Sequence, residues 1–379
     1  MVLFYFIFAG FILTTIAYVL LVEKLREGFL KITQQKTEEV FAQKLTYSIL
    51  VPFRNEERNM ASVMNDLFLQ HYPKDKFEIL LLNDHSTDRS MTVAEEALKA
   101  SSFSKCTFVH PAAAGKKAAL TEGVKHATGE IIVTIDADCR VDSHWLSSIN
   151  NAFANEKVKM VFGSVRIDPV RTIGESIQAI EFSSLIGTGA ATMAFGIPTM
   201  SNGANLAFRK EVFDRVNGYD GNQKIASGDD EFLMRKIAAK YEEGIRFNND
   251  QQSVVSTSGQ RSLGNFIAQR IRWAGKWSAH HDFKSKVLAI FIFLFHLLIL
   301  SSPFLASANS ITLSVVLASL LAKAVVEYRF LGIVNFWLKV RWSWAAFILL
   351  QLTYSLYAVA IGFAALFVKP VWKGRKLKQ

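Results

Sequence analysis

Apolar and polar positions divide the chain into three stretches. Residues 1–22 carry no charged side chain and run straight into Glu23, Lys24 and Arg26. A helix needs about 20 apolar residues to cross the hydrocarbon layer. A secretory signal has a basic start, a shorter apolar core and a small-residue cleavage site, so residues 1–22 are expected to be an uncleaved anchor. Long apolar runs return at residues 287–306, 310–326 and 344–368, and the first two read as a helical hairpin about Ser307, Ala308 and Asn309. Residues 330–338, bracketed by Glu327, Arg329, Lys339 and Arg341, are too short to span. They are expected to lie in the interface or to re-enter the layer.

In the middle stretch, short apolar runs alternate with amphipathic ones. Strands are expected at residues 47–53, 78–83, 107–110, 130–135 and 159–167, and helices at 59–70, 90–99, 116–126 and 143–154. Strands alternating with helices of this length predict an α/β domain with a mainly parallel sheet flanked by helices. In such sheets ligands sit outside the carboxyl ends of the strands. The expected organisation is an anchor at 1–22, a soluble domain at 45–285, a membrane region of about three apolar segments at 286–368 and a basic tail at 369–379.

Composition sharpens this picture at three points. Hydrophobic residues make up 50% of the 379 and charged residues only 20%, which excludes a disordered chain. The two cysteines, Cys106 and Cys139, are too few for a disulfide scaffold and lack zinc-ligand spacing. The net charge of +10 comes from basic residues flanking apolar runs. Anionic lipid headgroups, not nucleic acid, are therefore the expected partner. Basic residues after the first run place the soluble domain in the cytoplasm. Four simple crossings would leave Lys369, Lys373, Arg375, Lys376 and Lys378 on the opposite side, against the same preference.

Candidate chemistry gathers at the expected strand ends. The first strand ends in Pro52, Phe53, Arg54, Asn55 and Glu56, the second in Asn83 and Asp84, and the fourth in Asp136, Ala137 and Asp138. Alternation along an extended chain points Asp136 and Asp138 to one side, where two carboxylates can hold a hard divalent cation that also bridges phosphates. Further along, Asp229, Asp230 and Glu231 open a helical stretch, a placement that simple favourable interaction with the helix N-terminus would also explain. Gln269, Arg272 and Trp273 fall at i, i+3 and i+4 on one helix face. A guanidinium fork beside an aromatic platform suits a phosphate next to a sugar ring, although Arg and Trp are also common where a helix meets a membrane surface. The stretch 175–195 is unusually apolar, which fits an acceptor path, a membrane contact or ordinary core. His280 and His281 lack further ligands for a metal site.

The order of these motifs resembles the family 2 inverting glycosyltransferases of GT-A fold, over residues 47–277. The resemblance implies that Pro52, Arg54 and Glu56 belong to the nucleotide-binding strand, with Asp84 on the base and Lys116 or Lys117 as the basic residue before the next helix. It implies that Asp136 contacts the nucleotide and that Asp138, with Asp136, binds a Mg²⁺ or Mn²⁺ ion. It makes Asp230 the catalytic base, and Asp229, Gln269, Arg272 and Trp273 the acceptor and diphosphate contacts. Asp229 stands where Glu is usual, and His85 where Gly is common. The Gln-x-x-Arg-Trp signature with membrane helices is similar to synthases of β-linked polysaccharides and to ceramide glucosyltransferases.

The expected function is transfer of a sugar from a nucleotide sugar, UDP-linked by resemblance, to a growing polysaccharide or lipid-linked saccharide. The alternative is transfer of one sugar to a membrane lipid. A polymer product would call for an export partner, since about four membrane segments make a thin wall for a channel. A non-catalytic membrane partner ranks below both, because Asp136, Asp138 and Asp230 are all present. The expected location is the plasma membrane (the inner one where there are two), multi-pass.

Overall fold

The structure, a computed structural model, describes residues 2–35, 43–222, 228–275, 283–368, 371–372 and 375–376. His280 and His281 lie outside the described residues, and the basic tail is described only at its two short pieces. The chain opens with α1 (Val2–Thr33), which continues past the uncharged run through Glu23, Lys24 and Arg26 to Thr33. The first half of the soluble domain then runs β1 (Tyr47–Phe53), α2 (Met60–Phe68), β2 (Phe77–Asn83), α3 (Ser90–Lys99), β3 (Cys106–Val109), α4 (Lys116–His126), β4 (Ile131–Thr134), β5 (Cys139–Arg140) and α5 (Trp145–Ala152). The second half runs β6 (Met160–Phe162), β7 (Val165–Ile167), α6 (Ile173–Met193), β8 (Leu206–Arg209), α7 (Lys210–Arg215), α8 (Asp229–Lys240), β9 (Ile245–Phe247), β10 (Val255–Thr257) and α9 (Leu263–Gly275).

Seven strands form the main sheet in the order β3-β2-β1-β4-β8-β6-β9. β1 lies parallel to both β2 and β4, with Tyr47 opposite Phe77 and Ile131. All seven of its residues are buried, as expected of a parallel strand covered on both faces. Consecutive units wind outward from β1 in opposite directions, and the crevice at that reversal is where α/β sheets bind ligands. β8 runs antiparallel to both β4 and β6, so the sheet is mixed. Gly129 lets the chain entering β4 lie against β1, since a Cβ there would sit 2.5 Å from the Tyr47 carbonyl carbon.

One expected strand proves to be two. Residues 159–167 divide at Gly163 and Ser164: β6 joins the main sheet, and β7 joins a second sheet of order β5-β10-β7. Gly163 N–H donates to the Asn205 carbonyl at 2.9 Å, and Asn205 Nδ2 donates to the Ser164 carbonyl at 2.9 Å. The backbone is thus satisfied at the crossing without continuing the ladder.

The C-terminal apolar region comprises α10 (Phe283–Ile299), α11 (Ser302–Ala306), α12 (Ser310–Trp337) and α13 (Trp344–Phe367). Three helices, α1, α12 and α13, are long and apolar enough to cross a bilayer. Residues 330–338 are not a separate interfacial piece: α12 continues through Glu327 and Arg329 to Trp337. Both charges have partners that let the helix continue, Arg329 with Glu23 at 2.7 Å and Glu327 with Lys323 at 2.8 Å. The run 287–306 is likewise not one helix, because α10 ends at Ile299 and α11 begins at Ser302 with Pro303 in its first turn.

The helix α6 joins the two halves of the molecule. Its N-terminus is closed by a reciprocal cap between Thr172 and Glu175. It packs on α1, α12 and α13, closely enough that a Cβ on Gly28 would lie 2.6 Å from the Ala191 carbonyl oxygen. The apolar stretch around residues 175–195 therefore rests on membrane helices and, on its other side, walls the cleft described next.

Candidate active site

A cleft of about 970 Å³ opens outside the carboxyl ends of β1, β2 and β4. At its upper end the first two strand ends are bolted together. Arg54 Nη1 donates to the Asp84 carbonyl at 3.0 Å, and Glu56 N–H donates to Ser90 Oγ at 2.6 Å. Asp84 is 1% exposed, and its Oδ1 accepts from Gly115 N–H at 2.9 Å. His85, where Gly is common in the related family, has φ 55°. Among side-chain-bearing residues His is one of those tolerated in that left-handed region, so the turn is kept.

After β4, Ala137 is buried while Asp136 is half-buried and Asp138 exposed. The chain leaves the extended conformation at Thr134 and turns at Ala137 and Asp138, and both Asp136 and Asp138 line the cleft. Lys116, at the first position of α4, donates to Asp136 Oδ1 at 2.5 Å and lies 3.9 Å from Asp229 Oδ2. Burial opposes its charge, but Asp136 and Asp229 outweigh burial and raise its pKa. Lys117 points elsewhere, donating to the Asn222 carbonyl at 2.8 Å, and burial lowers its pKa against the weaker pull of Asp229 and Asp230. Of the two lysines left open by the sequence, Lys116 is the one among the acids.

Asp229 and Asp230 open α8 after Gly228, whose φ of 81° turns the chain into the helix. Asp230 Oδ2 accepts from Gly203 N–H at 2.9 Å, and its Oδ1 accepts from Glu231 N–H at 2.8 Å. Gly203 is in turn tied to β4, because Thr134 Oγ1 donates to its carbonyl at 2.7 Å. Two backbone donors thus fix the Asp230 carboxylate relative to the end of β4. This anchoring role of Gly203 carries no motif that the sequence alone would mark.

From below, α9 presents Gln269, Arg272 and Trp273 to the same cleft. Burial lowers the Arg272 pKa, while Asp136, Asp229 and Asp230 pull it back up. Its guanidinium therefore feels all three acids. The cleft thus gathers Pro52, Arg54, Glu56, Asp84, Lys116, Asp136, Asp138, Asp229, Asp230, Gln269, Arg272 and Trp273 on one lining, the residues to which the resemblance gives a binding or catalytic role. Beside Trp273 the wall becomes apolar, with Phe182, Leu185, Ile186 and Met200.

Among the described residues, no three His, Cys, Asp or Glu side chains gather as a complete metal shell. Asp136 and Asp138 supply two carboxylates to the cleft. That is the donor set Mg²⁺-type ions take when phosphates and water complete the shell, so the residues present fit such an ion.

The chain is similar to known proteins. A poly-β-1,6-N-acetyl-D-glucosamine synthase of Staphylococcus epidermidis is 27% identical over 261 residues, 65% of this chain and 60% of that protein. The probable glycosyltransferase YdaM of Bacillus subtilis is 28% identical over 234 residues, 60% of this chain and 54% of that protein. The chain thus spans less than two thirds of the length of either relative. Among solved structures, a mannosyltransferase of Pyrobaculum calidifontis, in complex with GDP-mannose and Mn²⁺, superposes with a TM-score of 0.57 at 18% identity, covering 95% of this chain and 98% of that one. The fold is therefore GT-A-like, as the resemblance implied. The sequence pattern of glycosyl transferase family 21 matches residues 4–378, and the chain belongs to that family.

Proposed function

We propose that this enzyme transfers a single sugar from a nucleotide sugar to the hydroxyl of a membrane lipid, with inversion at the anomeric carbon. The observation that carries this reading is the division of the cleft. Its donor end is lined by Asp84, Lys116, Asp136 and Asp138, and its other end by Phe182, Leu185, Ile186 and Met200. Phe182, Leu185 and Ile186 of that wall belong to α6, which packs directly on α1, α12 and α13; Met200 follows it in the chain. Apolar surface beside a polar reaction centre suits an acceptor with a hydrocarbon body. The similarity to ceramide glucosyltransferases points the same way.

In this mechanism Asp84 and the strand end at Pro52–Glu56 hold the nucleotide. Lys116 and Arg272 supply fixed positive charge where the diphosphate leaving group develops negative charge. Asp230 accepts the proton of the acceptor hydroxyl, its carboxylate aimed by Gly203 and Glu231 N–H groups. One displacement then gives a β-linked product from an α-linked donor. Asp136 and Asp138 would hold a Mg²⁺ or Mn²⁺ ion, which when bound supplies Lewis-acid stabilisation of the diphosphate. The donor is UDP-linked in this reading, and the GDP-mannose complex of the Pyrobaculum enzyme makes GDP-sugars the comparison to run.

The basic residues Lys24, Arg26 and Lys31 toward the C-terminal end of α1 support a catalytic domain on the cytoplasmic side. The end of α12 lies on that side too, because Arg166 Nη1 donates to the Leu338 carbonyl at 3.1 Å and Gln251 Nε2 to the Trp337 carbonyl at 3.2 Å.

The test is incubation of the detergent-purified protein with lipid extract, Mg²⁺ or Mn²⁺, and radiolabelled UDP- and GDP-sugars. A labelled organic-soluble product carrying one sugar is expected. High-molecular-weight product would replace this reading with the polysaccharide synthase that the Staphylococcus relative represents.

A further inference from the structure

Arg270, the second residue of Gln269-Arg270-Ile271-Arg272-Trp273, is 4% exposed, although it sits in a helix at the cleft wall. A helix turns about 100° per residue, so Arg270 and Arg272 point to opposite sides. Arg272 faces the acids of the cleft, and Arg270 turns back toward α6 and α13. There its Nε donates to both oxygens of Glu181, at 3.1 and 3.0 Å, and its Nη2 donates to Glu181 Oε2 at 2.6 Å. The hydroxyl of Tyr357, on α13, donates to Glu181 Oε1 at 2.9 Å. An acid within an otherwise apolar helix needs such partners, and Glu181 has them.

The same guanidinium reaches both neighbours that line the cleft. Its Nη1 donates to Gln269 Oε1 at 2.5 Å, and its plane lies 4.4 Å from the Trp273 ring and 4.5 Å from the Phe266 ring. Trp273 is backed on its far side by Phe182 at 5.9 Å, and Phe266 stacks on Tyr357 at 5.7 Å. One buried cation thus sets the rotamer of Gln269 by a hydrogen bond and of Trp273 by cation–π contact. A carboxylate and a tyrosine on two other helices fix that cation.

We propose that Arg270 is a positioning residue for sugar transfer: clamped by Glu181 and by Tyr357 of a membrane helix, it holds Gln269 and Trp273 in place for the acceptor and diphosphate. The inference rests on the reading of Gln269 and Trp273 given above. It gives the membrane helices a direct hold on the catalytic helix, through one ion pair and one tyrosine.

The experiment compares Arg270→Lys, Tyr357→Phe and the double variant Glu181→Met with Arg270→Met, using the donor that turns over for the wild type. Melting temperature, kcat, donor and acceptor KM, and nucleoside diphosphate Kd by calorimetry are measured for each. Replacing a buried ion pair by apolar residues of similar volume is often tolerated by a fold, so the double variant separates stability from positioning. A misplacement of about 1 Å can cost on the order of 100-fold in rate. Expected are a kcat loss of about 10- to 100-fold for Arg270→Lys and for the double variant, a smaller loss for Tyr357→Phe, a nucleotide Kd near wild type, and a melting temperature for the double variant close to wild type. Wild-type kcat in a stable double variant would overturn the proposal and leave the pair a purely structural contact. Gln269→Ala and Trp273→Ala serve as controls. If they turn over normally, the assigned role of the motif fails. If they lose turnover while the Arg270 variants do not, only the positioning inference fails.

Discussion

Among the charged groups in the described residues, the cleft group and the one between the long apolar helices are built on opposite plans. In the cleft, Asp136, Asp138, Asp229 and Asp230 outnumber Lys116 and Arg272, and all six line open space. Between the membrane helices, Lys323 and Glu327 pair at 2.8 Å, and Glu327 also accepts from Tyr18 and from Gln351, each at 2.6 Å. Gln351 Oε1 completes the set by accepting from Lys323 at 3.0 Å. That second group contains one acid and one base, every partner is protein, and none of its members lines the cleft. The first group has room and an unbalanced charge, as a site for a diphosphate and a cation requires. The second is closed. Burial of charge alone therefore does not mark a functional site here; imbalance beside a cavity does.

The contrast makes its strongest demand at Asp230. Asp230→Asn keeps the shape and one acceptor oxygen for the Gly203 and Glu231 N–H groups, yet cannot take a proton. A positioned general base contributes roughly 10²- to 10⁴-fold. Turnover should fall by that factor, while the melting temperature and nucleotide affinity stay near wild type. Undiminished turnover would move the base to another residue.

In the membrane group the effect should fall on stability. Lys323→Met leaves Glu327 buried without its cation, and breaking one side of a buried pair typically costs about 3–5 kcal/mol. The thermal midpoint in detergent should drop sharply, while turnover per folded molecule stays near wild type. Adding Glu327→Leu should restore most of the midpoint. A Lys323→Met protein with normal stability and lost turnover would reverse the comparison and make the membrane group part of the chemistry.

The two groups also differed in how far the sequence revealed them. The cleft was legible because its acids follow apolar runs: Asp84 ends β2, and Asp136 and Asp138 follow β4, where the fold rule for α/β sheets says to look. The membrane group was misread. Glu327 and Arg329 looked like the end of a span, because sequence alone cannot show that Tyr18, Gln351 and Glu23, distant in the chain, supply their partners. The division of residues 159–167 was hidden for a similar reason. A continuous apolar run has the same pattern whether it stays in one sheet or crosses to another, and the deciding contact is with Asn205. Arg270 was passed over because a signature written as Gln-x-x-Arg-Trp assigns no role to its position.

A smaller effect tests the apolar end of the cleft. Ile186→Thr replaces the ethyl arm in that wall by a hydroxyl. Changes of one group in a hydrophobic pocket are worth about 1–3 kcal/mol, and this one should fall at the low end. The acceptor KM should rise by about 10-fold with donor KM unchanged. A donor KM that moves with it would show that the two ends of the cleft are not separable.

The finest distinction lies within the cleft wall, between neighbouring lysines. Lys116 meets acids and has a raised pKa, so its stabilisation is complete below the unfolded lysine value of about 10.4 and is lost only as pH climbs through its higher folded value. Lys117 is buried on the Asn222 carbonyl and its pKa is lowered. The unfolded chain then holds that proton more tightly than the folded one, so stability rises with pH between the folded pKa and the unfolded value. Lys117→Met removes this term together with one hydrogen bond, and the informative quantity is the slope, not the level. Melting temperatures of the wild type and Lys117→Met, followed from neutral pH toward about 10, should diverge in favour of the wild type as pH rises. A constant offset would mean that Lys117 titrates as it does in the unfolded chain, and that the two lysines differ in direction but not in environment.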